Sequence, residues 1–149
     1  PLEDPQYGVS EILALNDREF LVLERDGKAG AKAQSKKIFR IDLREASDIS
    51  AVERLPSQEL PPPLRAVSKQ LFLDLLDPRW GIAGADCPEK FEGLAFGPDL
   101  PDGRRLLLVT VDNDFLPDQP WRVYAFAIDR SDLPTYQPQH FSPSSSDKK

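Results

Sequence analysis

Two glutamates stand out because each opens the same kind of segment, Glu11 in Ser10–Leu15 (SEILAL) and Glu92 in Phe91–Phe96 (FEGLAF). Carboxylates brought together from two such segments repel one another unless a cation or a shared proton compensates. Calcium suits that role, because it accepts carboxylate, carbonyl and water oxygens in a flexible shell. The alternative for each Glu is structural, as an acceptor for a neighbouring backbone amide that ties adjacent elements together. Asp112, Asn113 and Asp114 set three oxygen-bearing side chains directly after the apolar run Leu106–Val111. They could ligate a cation at a strand end, though not with the alternating spacing of an EF-hand loop. They are equally a turn, since Asp and Asn bond their own backbone and tolerate left-handed conformations. Arg25 falls where the first half of the chain matches Asp112, and a guanidinium there can hold a phosphate bidentately. Its alternative is an ion pair with Asp112 or Glu24. The candidate metal ligands are thus Glu11, Glu92, Asp112, Asn113 and Asp114, and the candidate catalytic residues Arg25, Glu92 and Asp112.

The elements that must position these residues are short strands. Glu11–Leu15 and Phe20–Leu23 are separated by the turn signal Asn16–Glu19, and Lys37–Leu43 (KIFRIDL) alternates between two faces. Val67–Leu76 reads as a strand or a short amphipathic helix, and periodicity does not decide between them. The proline-rich stretch Ser57–Leu64 is irregular. The second half repeats the first: Phe91–Phe96 matches Ser10–Leu15 at an offset of 81, Leu106–Val111 matches Phe20–Leu23, and Trp121–Ile128 matches Lys36–Leu43 at an offset of 85. Three ordered matches indicate an internal repeat of about four antiparallel strands, the make-up of a propeller blade. The expected fold is all-β, a partial β-propeller of about two four-stranded antiparallel blades whose second blade lacks its fourth strand; the alternative is a small β-sandwich. Residues 1–135 form the propeller part and 136–149 a polar tail, of which Ser142–Lys149 is expected to be disordered. In a propeller the innermost strand of each blade lines the central channel, where Glu11 and Glu92 would converge.

The segments FEGLAFGPDLPDGRRLLLVTVDNDF (Phe91–Phe115), SEILALNDREFLVLERDG (Ser10–Gly27) and KIFRIDL together resemble the C-terminal half of a phytase-like domain, the family described as having esterase-like activity of phytase. The resemblance covers most of Val9 to Ile128. It implies a β-propeller, export by bacteria to the periplasm or outside the cell, and hydrolysis of phosphate or other esters. On that reading the chain is a calcium-dependent hydrolase of a small anionic ester, and its partner is a missing N-terminal part of the same propeller. A calcium-stabilised, non-catalytic propeller that binds a ligand or protein is the alternative.

Composition narrows the field further. The formal net charge of −6 argues against nonspecific nucleic-acid binding, which needs a basic surface. Within the 149 residues, Glu24–Arg40 runs against that balance with a net +4, either an attraction for an anionic substrate or a solvated loop. No apolar stretch is long enough to span a bilayer. With Cys87 the single cysteine and His140 the single histidine, no internal disulfide and no Ser–His–Asp or Cys–His mechanism is expected. Trp80, Trp121, Tyr124 and Phe126 read as packing residues, and Asp102-Gly103 as a hairpin turn.

Overall fold

The computed structural model describes residues 1–55 and 60–139. His140, the segment Ser142–Lys149 and part of Ser57–Leu64 therefore lie outside the described residues. Among the described residues, seven strands form two antiparallel meanders. The first sheet has the order β1 (Gly8–Ala14), β2 (Glu19–Arg25), β3 (Lys36–Asp42), β4 (Ser68–Asp74); the second has β5 (Phe91–Phe96), β6 (Arg105–Val111), β7 (Arg122–Ile128). The remaining regular elements among the described residues are single 3₁₀ turns, and no helix is long and apolar enough to cross a membrane.

Period-two alternation explains the strands. In β2, Leu21 and Leu23 are fully buried on one face while Val22 and Glu24 occupy the other; in β3, Ile38 shares the face of Leu23 and Phe39 that of Val22. Val67–Leu76, open to a strand or a helix in the sequence, contains β4, because Gln70 and Leu71 complete the ladder to Arg40 and Phe39. The 102–103 turn forms as expected, with Gly103 at φ +86°, a conformation favouring glycine. Leu21, Leu23, Ile38 and Leu75 pack with Phe91, Leu94, Leu107, Val109 and Phe126 in one core between the sheets.

The two sheets approach most closely where β1 and β2 meet β5, as inner strands of neighbouring blades do. Register settles how the repeats are related. Both inner strands carry a β-bulge: the β1–β2 pairing shifts between Val9 and Glu11, leaving Ser10 as the extra residue, and the β5–β6 pairing shifts between Phe91 and Gly93, leaving Glu92. The ladders close alike, Leu15 N–H donating to the Glu19 carbonyl (2.8 Å) and Gly97 N–H to that of Leu106 (2.9 Å). Ser10 therefore corresponds to Glu92, Leu15 to Gly97 and Leu21 to Leu108. The sequence alignment of Glu11 with Glu92 is one residue out of step in the inner strands, and a one-residue slip exchanges the faces of a sheet.

With the register corrected, the buried face of the first sheet (Leu21, Leu23, Ile38) corresponds to Leu108, Thr110 and Val123, the open face of the second. The buried face of the second sheet (Leu107, Val109, Val111) corresponds to Phe20, Val22 and Glu24 on the outer face of the first. Unlike faces meet. That is the relation between successive blades turned about an axis, whereas a pseudo-twofold sandwich would bring like faces together.

Candidate functional site at the loop-rich end

Because neighbouring strands alternate in direction, the connections β2–β3, β4–β5 and β6–β7 all emerge at one end of the two sheets. Arg25, Glu92 and Asp112–Asp114 lie at or next to that end, and Glu11 sits at the middle of β1. Arg25 ends β2 and reaches across to β5. Its Nη2 donates to Glu92 Oε1 at 2.6 Å and its Nε to Ser10 Oγ at 2.9 Å. It thus joins the two equivalent bulge residues of successive inner strands, and not Asp112 or Glu24, the ion-pair partners given as its alternative. Glu24 instead binds Lys69 Nζ through both oxygens, at 2.8 and 2.9 Å. Glu11 turns to its own strand, its Oε1 accepting from Ile12 N–H at 2.8 Å.

Asp112–Asp114 form a turn. Asp112 Oδ2 accepts from Asp114 N–H at 3.1 Å, and Asn113 Nδ2 donates to the carbonyls of Leu116 and Gln119 at 3.3 and 2.9 Å. Asp114 and Phe115 follow in left-handed conformations at φ +51° and +58°, and Asp114 faces Lys90 at 3.4 Å. Asp112, matched to Arg25, holds the same end-of-strand position, its N–H bonded to the Lys90 carbonyl at 2.9 Å. Among the described residues no three His, Cys, Asp or Glu side chains gather as a metal site would require. Glu92 is engaged by Arg25, and Glu11 accepts from its own backbone.

Four of the six cations in the span 24–40 are held in ion pairs. Lys36 is fully buried, and its Nζ donates to Asp26 Oδ1 (2.7 Å), the Asp26 carbonyl (2.8 Å) and the Glu89 carbonyl (2.9 Å). The Asp26 carboxylate also accepts from Gln34 and Ser35 N–H at 2.6 and 3.1 Å, which hold the β2–β3 loop closed. Burial raises the Asp26 pKa, but these bonds and Lys36 hold it below its ordinary value. Lys37 pairs with Glu3 and Arg40 with Glu19. The β2–β3 loop leans on the β4–β5 loop at Gly30, whose N–H donates to the Cys87 carbonyl at 2.8 Å. A Cβ there would lie 3.1 Å from the Ala85 carbonyl oxygen, so this crossing favours glycine. Cys87 is buried beside this contact, and burial raises its thiol pKa.

These loops enclose a solvent-open pocket of about 210 Å³, lined by Gly30, Cys87, Lys90, Asp112 and Arg122 among others. Arg122 is the residue sequence reasoning missed. Its Nη1 donates to the Asp86 carbonyl (3.0 Å) and Tyr124 Oη (3.3 Å), which fixes the guanidinium while its Nε and Nη2 have no partner among the described residues. The available signal was its place as the first residue of β7, directly opposite Val111. Of the aromatic residues, Trp80 packs edge-on against Phe126 and Tyr124 stacks on Phe91. Trp121 is 71% exposed, contrary to its reading as a packing residue. Tyr136 packs on Phe96 and Gln137 N–H bonds the Leu15 carbonyl, so the ordered contacts run past residue 135.

Two antiparallel meanders meeting through unlike faces, with their long loops at one end, are two blades of a β-propeller. The family model for phytase-like proteins, described as esterase-like activity of phytase, matches residues 1–115, and the chain belongs to that family. The match takes in β1 to β6, while Arg122 and β7 lie beyond it. No curated protein and no solved structure matched the chain.

Proposed function

We propose that the loop-rich end binds an anionic ester and hydrolyses it, consistent with the esterase-like description of the family. The observation that carries this is the pocket whose lining brings together Lys90, Arg122 and Asp112. The two cations can hold the acid portion of an ester and stabilise the negative charge that develops as water attacks. Asp112 can take the proton from that water as a general base, and the alcohol leaves with a proton from solvent. Arg25 and Glu92 position the inner strands and do not touch the ester.

The test is turnover of a panel of aryl phosphate and aryl carboxylate esters by the chain, with Asp112→Asn and Arg122→Met as variants. The expected loss in kcat/KM is about a hundredfold for either, with unchanged thermal midpoints. Equal turnover by both variants and the parent would reject the assignment. No turnover by the parent, with saturable binding of the same esters, would favour the non-catalytic ligand-binding module.

A further inference from the structure

The charges around the loop pocket are already shared, apart from one edge of one guanidinium and one carboxylate. Arg122 stands directly opposite the buried Val111 and so lies on the face of β7 that turns toward the first sheet, as does Tyr124 two residues on. Its Nη1 is engaged by the Asp86 carbonyl and Tyr124 Oη, and Tyr124 is held in turn by stacking on Phe91. The guanidinium is clamped at that corner. Its Nε–Nη2 edge, where two N–H bonds run parallel, has no partner among the described residues, and such a fork matches two oxygens of one acid group. Lys90 is not free in the same way, since its Nζ lies 3.4 Å from Asp114 Oδ2 and 3.9 Å from Glu89 Oε1. Asp112 shares the pocket lining with Arg122 and makes no ion pair among the described residues. The carboxylates Glu89, Asp112 and Asp114 thus outnumber the two cations, in a chain whose net charge is −6.

Resting on the ester-binding reading above, we infer that the pocket selects singly charged esters, those bearing one sulfate or one free carboxylate, over doubly charged phosphate monoesters. The shared chemistry is a single negative charge spread over at least two free oxygens. One such charge is what the Arg122 fork can neutralise. A second would meet no unshared cation and would stand against Asp112, and neighbouring like charges disfavour the doubly ionised form. A phosphate monoester carries roughly −1.5 to −2 at neutral pH, so it is the anion this arrangement turns away. Asp112 therefore has two consequences: it offers a base to the attacking water, and it sets the charge of the acid group that the fork admits.

Methyl sulfate and methyl phosphate are alike in shape and differ in charge, so they test this directly. Titration of the chain with each, followed by NMR at about pH 8, where the phosphate is a dianion, gives both dissociation constants. Ionic strength is held constant, because salt screens the two anions unequally. Methyl sulfate should bind about tenfold more tightly than methyl phosphate. Arg122→Lys keeps the charge without the fork and should weaken methyl sulfate about tenfold. Asp112→Asn, at an exposed position, removes the repelling charge and should bring the two affinities to within about twofold. Methyl phosphate binding as tightly as methyl sulfate in the parent, or a preference that persists unchanged in Asp112→Asn, overturns the inference and leaves the ester-binding reading standing. Binding of neither anion overturns both together. The comparison in the parent decides by itself where a variant proves unstable.

Discussion

Lys36→Met removes the positive member of a fully buried pair and leaves Asp26, only 2% exposed, with its charge. Three hydrogen bonds from Nζ disappear, two of them to backbone carbonyls that join the β2–β3 loop to the approach to β5. Breaking a buried pair by removing one partner costs about 3–5 kcal/mol. Gln34 and Ser35 N–H still solvate the Asp26 carboxylate, which places the expected loss near the lower limit, at about 3 kcal/mol. For a domain with about 5–15 kcal/mol in all, that is a large share. Asp26→Asn combined with Lys36→Met leaves no charge stranded and should recover at least half of the loss. Urea unfolding followed by tryptophan fluorescence reads both, since Trp80 packs on Phe126 beside this core. A Lys36→Met midpoint equal to the parent's would refute the reasoning. So would a double variant as unstable as the two single losses added together, because the pair would then carry no coupling.

Glu19 supplies a pH dependence. Burial raises its pKa, but hydrogen bonds from Thr135, Asn16 and Arg40 override that and hold it at about 2, against an ordinary 4.5. A depressed carboxylate stabilises the fold above its unfolded pKa and loses that contribution as pH falls from about 4.5 through about 2, so the urea midpoint should drop across that window and drop less in Glu19→Gln. A parent and variant with superimposable acid profiles would exclude this role. Cys87, buried and with its thiol pKa raised, should react slowly with a disulfide reagent until the chain is unfolded, and rapid stoichiometric labelling of the native protein would contradict its place under the loops. A double-mutant cycle of Arg25→Met with Glu92→Gln should show coupling of about 0.5–1 kcal/mol, given the exposure of Glu92, and the same cycle with Glu11→Gln none. Coupling of Arg25 to Glu11 as strong as to Glu92 would restore the alignment that the bulges displace.

The strands were legible because each is a local pattern of apolar alternation, and the repeat because its three matches keep their order. What sequence matching could not see was a backbone event. A β-bulge adds a residue to one strand without changing composition, so FEGLAF overlays SEILAL most naturally with Glu on Glu. The fold instead equates the residue that each inner strand extrudes, Ser10 in one and Glu92 in the other. Side-chain chemistry hides this, since a serine and a glutamate share no obvious likeness until Arg25 is seen to bind both. The same blindness moved the functional emphasis. Arg25, Lys36 and Arg40 read as part of an anion-attracting run or a solvated loop because charge is counted along the chain, but their partners Glu92, Asp26 and Glu19 are supplied by pairing across strands and loops. Arg122 stands alone between Trp121 and Val123 in the sequence, and only the meeting of three loops sets it in one pocket with Lys90 and Asp112. In a repeat protein, then, the residues matched between copies can be structural ties, and the distinctive chemistry falls where the copies differ. Asp112 where the first blade has Arg25 is the sharpest such difference, and it lines the pocket.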